Sequence, residues 1–225
     1  MTNTFTKLSS AIAASLLLSS SLMAQEIEVK ITNLTKGINF TPLMVAAHPA
    51  DAKVYMAGSE ASANLKAMAE GGDISGLVAD IENAGGVTTS NPAGGLLAPG
   101  ASTTAMLTTV DDSDNNFLTV TAMMLPTNDG FVALNSVLIP SQAGTYKYVL
   151  NAHDAGTEAN TEIAADIPAL ATGTGATGVA TEAEGYVHIH RGTLGDSSAT
   201  AGASDLDSSM HRWLNPVASV IITVK

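Results

Sequence analysis

The chain has 225 residues with a formal net charge of −12, only 9 Lys and Arg, and no cysteine. Without a basic stripe to neutralise phosphates, nucleic-acid binding is excluded, and an anionic membrane surface would repel the chain. Without thiols, cysteine nucleophiles, zinc–thiolate sites and disulfides are excluded, and small cations or basic surfaces are the partners that suit the charge.

Hydrophobic residues make up 45%, enough for a packed core, while charged residues make up 13%, about half the usual share. Alanine, threonine, serine and glycine fill the gap, a composition common among exported β-rich proteins.

The first segment, residues 1–24, carries one cation, Lys7, then an apolar run centred on Ile12–Leu18, then small residues up to Ala24. A short positive stretch, a short apolar stretch and a small residue at a cleavage point define a signal peptide. The apolar run is too short to span a bilayer core of about 30 Å. The expected organisation is a signal peptide over 1–24 and one β-rich domain over 25–225. No later stretch has the length of a transmembrane helix, so the expected destination is periplasmic, cell-surface or secreted.

Residues 26–33 alternate, with Ile27, Val29 and Ile31 on one face, and predict a half-buried strand. Residues 42–48 are apolar and predict a second strand. Over 59–72 the period changes: Ala61, Leu65, Met68 and Ala69 fall at helical spacing, Ser59 is placed to cap the start, and Gly71 or Gly72 to stop it. Residues 75–86 repeat this in miniature, with Leu77, Val78 and Ile81 on one side. Strands follow at 103–110, 117–125, 131–135, 145–152, 185–190 and 216–224. Many short strands with turn signals between them predict an all-β antiparallel sandwich or barrel, with one or two short helices in a long connection. The low-complexity stretches 171–182 and 192–209 read as loops.

Asn128-Asp129-Gly130, between two apolar runs, is a tight-hairpin signal, and its oxygens also suit a hard cation. Asp154 and Glu158 lie just after the strand ending near Ala152, and Asp111, Asp112 and Asp114 lie between two strands. All three groups sit at strand ends. If those ends meet, unpaired carboxylates converge and a divalent cation relieves their repulsion; otherwise they are solvated acidic loops. The loop over 112–116 has the D-x-D-x-N start of a calcium loop but lacks the following glycine and distant glutamate of an EF-hand, which rejects that motif. His188 and His190, two apart in a strand, share a face and form the alternative site, for copper or zinc, with His153, His48 or His211 as a third ligand. There is no G-x-S-x-G elbow, no H-E-x-x-H and no phosphate loop, so no catalytic residue is assigned. His211–Pro216 holds the single tryptophan, whose expected role is packing at the last strand.

Five segments occur in order: G-S-E-A-S-A-N-L-K-A-M-A-E-G-G-D, M-M-L-P-T-N-D-G-F-V-A-L, N-A-H-D-A-G-T-E-A-N, V-H-I-H-R-G and W-L-N-P-V-A-S-V. Together they resemble the spondin N-terminal domain, in its exported single-domain bacterial form, from about Glu26 to Lys225. The resemblance implies a C2-like β-sandwich, a non-enzymatic adhesive role toward a surface protein or glycan, and a calcium site at one end. By motif, the implied metal ligands are Asp129, Asp154 and Glu158. A further acidic ligand of the family falls on the strand over 103–110, which carries no acid here.

Overall fold

The computed structural model describes residues 25–109, 114–168, 170, 180–198 and 202–225. Residues 1–24, where a signal peptide is expected, Asp111, Asp112 and most of the low-complexity stretch 171–182 lie outside the described residues.

In chain order the strands are β1 (Gln25–Asn33), β2 (Asn39–Phe40), β3 (Met44–His48), β4 (Val87–Ser90), β5 (Ser102–Thr109), β6 (Phe117–Leu125), β7 (Gly130–Leu138), β8 (Gly144–Asp154), β9 (His188–Ile189) and β10 (Ala218–Val224). Two helices, α1 (Ala63–Gly71) and α2 (Ser75–Asn83), lie between β3 and β4. The strands form one sheet ordered β4-β3-β6-β7-β8-β10-β1-β5, with β2 beside β6 and β9 beside β8. Every pairing among them is antiparallel.

The sheet folds on itself because β8 divides its length between β10 and β7. Residues 144–150 pair with β10, and residues 151–154 pair with β7. The two edge strands then come close enough for Thr89 Oγ1 on β4 to donate to the Met106 carbonyl on β5 at 2.7 Å. The product is a nearly closed, barrel-like sandwich of the C2-like all-β class.

Alternation decides which side chains fill it. On β1, Ile27, Val29 and Ile31 point inward; on β10, Ala218, Val220, Ile222 and Val224 do. They meet Val45, Ala47, Leu118, Val120, Ala122 and Val132 from the opposite layer. β6 is buried on both faces, which explains its lack of alternation. Its other face, with Met123, joins Met44, Ala46 and Phe131 beneath Leu65, Met68, Leu77 and Ile81 of the helices.

Several local expectations change. Helix α1 is capped by Ser62, whose Oγ accepts from Leu65 N, rather than by Ser59; the chain takes helical geometry only from Ala63. Gly72 closes it as expected. The strand expected over 185–190 shortens to His188–Ile189, because Gly185 has a φ of +81° and turns the chain there. β4 has few large apolar residues and gave no strand signal.

The Asn128-Asp129-Gly130 turn is a hairpin connection but not a two-residue one. Met123 pairs with Phe131, and residues 126–129 form the loop. Thr127 Oγ1 holds it, donating to the Met124 carbonyl at 2.6 Å and accepting from Gly130 N at 3.0 Å.

A carboxylate and histidine cluster at one end of the sandwich

Register builds this site. Gly130 stands opposite Asp154 across β7 and β8, and Asp154 stands opposite His188 across β8 and β9. Asp129, Asp154 and His188 are thus gathered at one end of the sheet from positions far apart in sequence. Gly130 leaves the space open: a Cβ there would sit 2.7 Å from Thr127 Oγ1 and 3.1 Å from His190.

Asp129 and Asp154 are fully buried, and Glu158 is 2% exposed. The Asp129 Oδ2 accepts from Thr157 N at 2.7 Å, Glu158 N at 3.1 Å and Thr157 Oγ1 at 3.2 Å, while Oδ1 has no hydrogen-bond partner. Burial first, and the charge of Asp154 second, push the Asp129 carboxyl up to about 7, against the pull of its three donors. Asp154 ends β8 in a tight turn: Oδ1 accepts from Gly156 N at 2.8 Å, and Oδ2 from Asn160 Nδ2 at 2.7 Å. Among the described residues no Lys or Arg lies within ion-pair distance of either aspartate.

Two histidines flank Asp154. His188 Nε2 lies 3.7 Å from Oδ1, and His190 Nε2 lies 3.9 Å from Oδ2. The shared face expected of the pair holds, but their chemistry differs. His190 Nδ1 accepts from Gly192 N at 3.0 Å, so the neutral ring carries its proton on Nε2 and turns an N–H toward Asp154. Burial, against Trp213 among others, lowers its pKa to about 4. His188 is the reverse: Nδ1–H donates to the Ile189 carbonyl at 3.0 Å, leaving the Nε2 lone pair facing the carboxylates. A metal held jointly by both Nε2 atoms is therefore disfavoured.

None of the expected third histidines joins them. His153 lies on the other face of β8, its Nε2 sharing a hydrogen bond with Tyr55 OH at 3.0 Å. His48 is a satisfied core residue between Thr119 and the Pro49 carbonyl. His211 Nδ1 accepts from Asp207 N. Trp213 is buried in the main core, as expected.

The acidic groups do not all converge. Asp114 precedes Phe117, the first residue of β6, whereas Asp129 follows its last residue, so β6 separates them by its full length. Antiparallel pairing puts successive connections at opposite ends of the sheet.

Sequence reasoning missed Asn160 and Glu184. Glu184 Oε1 lies 3.9 Å from His188 Nε2 and 3.4 Å from Asn160 Nδ2. In a strand, Glu184 and His188 would stand about 13 Å apart. The left-handed Gly185 curls them together. The only signal was that glycine between them.

A nearly closed antiparallel sandwich with two fully buried aspartates at one end defines an all-β, C2-like domain. The model of the family described as Spondin_N matches residues 32–174, and the chain belongs to that spondin N-terminal domain family. No curated protein matches the chain. Among the described residues no helix is long and apolar enough to cross a membrane.

Proposed function

We propose that this is an exported, non-enzymatic domain that mediates contacts at the cell surface or outside the cell. One end is held by calcium through Asp129, Asp154 and Glu158. The observation that carries the reading is the pair Asp129 and Asp154. Both are fully buried, neither faces a described Lys or Arg, and Asp129 Oδ1 has no hydrogen-bond partner. Burying a carboxylate without a counter-charge is costly, and a hard divalent cation with oxygen ligands removes the cost. Backbone donors occupy Asp129 Oδ2, so Oδ1 is the atom left to meet the ion. The cation would tie the 126–129 loop to the segment after β8 and stiffen one rim as a contact surface for a protein or glycan.

Calcium at 100-fold over its Kd should stabilise the protein by about 2.7 kcal/mol, raising Tm by about 5–10 °C. Thermal denaturation in calcium and in chelator measures this. Asp129→Asn with Asp154→Asn should abolish the shift. A wild-type Tm indifferent to both additives would sink the site.

A further inference from the structure

His188, Glu184 and Asp154 meet beside the proposed calcium ligands. Among the described residues they are the group of three whose ligand atoms lie within 4.8 Å of one another. The residues involved differ in chemistry from the aspartates around Asp129, since one donor is an imidazole nitrogen.

We propose a second metal site, for a zinc-class divalent ion, formed by His188 Nε2, Asp154 Oδ1 and Glu184 Oε1. Tetrahedral zinc with bonds of about 2.0–2.1 Å sets its ligand atoms about 3.4 Å apart. His188 Nε2 lies 3.7 Å from Asp154 Oδ1 and 3.9 Å from Glu184 Oε1, close to that spacing. Both distances exceed the usual hydrogen-bond range of about 2.7–3.2 Å, and His188 Nε2 has no hydrogen-bond partner.

The surroundings are those of a held ligand set. His188 Nδ1–H donates to the Ile189 carbonyl, which fixes the tautomer that leaves Nε2 able to bind a metal. Asp154 is oriented from behind: Asn160 Nδ2 donates to Oδ2 at 2.7 Å, and the unpartnered Nε2 of His190, whose side chain is 3% exposed, is aimed at the same oxygen. Asn160 Nδ2 also reaches Glu184 Oε1 at 3.4 Å, linking the two carboxylates. One imidazole and two carboxylates, with no thiolate in the chain, suit zinc. Three protein ligands leave the fourth position for water or an external ligand, on the side where Glu184 is exposed.

This site shares Asp154 with the calcium reading but rests on His188 and Glu184, which that reading does not use. The test is calorimetric titration of chelator-treated full chain with zinc, with and without calcium, and with cobalt(II) as a visible-absorption reporter. One zinc per chain should bind, and cobalt should give the intense bands of tetrahedral coordination. His188→Gln and Glu184→Gln should each weaken zinc binding at least tenfold. Glu184 is exposed, so that variant keeps its fold, and the calcium Tm shift should persist in both. Asp129→Asn should still bind zinc. Absence of stoichiometric zinc, zinc binding unchanged in His188→Gln and Glu184→Gln, or zinc binding lost in Asp129→Asn would each overturn the proposal.

Discussion

Asp129 brings a carboxylate into a place closed to water, and its protonation follows from that. Its folded-state pKa of about 7 lies above the ordinary 3.8, so the folded chain holds this proton more tightly than the unfolded chain. The stability contributed is complete below the unfolded pKa and is lost as pH rises through about 7. His153 and His190, lowered by burial to about 4, act the other way: their contribution is lost as pH falls through the folded value. Comparing wild type with Asp129→Asn in chelator cancels the histidines. The Tm of the variant relative to wild type should rise between about pH 4 and pH 7 and then level off, and calcium should close the gap. A difference independent of pH would mean that Asp129 is not buried as described. Gly156 is a second decisive residue. Its φ is +67°, its N–H binds Asp154 Oδ1, and a Cβ would collide with the backbone of Tyr186. Gly156→Ala should cost about 2–4 kcal/mol in denaturant unfolding, from left-handed strain plus displacement of the chain entering β9.

At the scale of elements, β6 and β7 matter most, since each packs on two layers. Phe131 follows the turn, is fully buried, and stacks at 5.4 Å on His153 and edge-on at 5.2 Å against Tyr55. It anchors the loop carrying Asp129 to the helix-covered layer. Phe131→Ala should cost about 3–5 kcal/mol by chemical denaturation and weaken calcium binding through the adjoining loop. Most strands were legible because a strand packed on one side keeps the period of two: β1 and β10 declare their inward faces residue by residue. β6 was legible only as an apolar run. β4 was not legible, because its burial is partial and its residues are mostly small and polar. Helix α1 was visible from Leu65 and Met68, but two serines competed for its cap, and only tertiary packing places the first turn.

At the scale of the whole molecule, the sequence by itself determined the all-β class, the helical insertion, the exclusion of thiol chemistry, and the motifs that mark the spondin family. These depend on local periodicity and composition, which a single chain displays directly. It also singled out Asp129, Asp154 and Glu158, through motif resemblance rather than geometry. Only the tertiary structure decided which charged groups meet. Antiparallel pairing sends Asp114 and Asp129 to opposite ends of β6, while β7, β8 and β9 place Asp129, Asp154 and His188 side by side. One left-handed glycine then folds Glu184 back onto His188. Strand register joins residues distant in sequence, and no local pattern encodes the partner of a strand, so the grouping of ligands emerges only when the sheet closes.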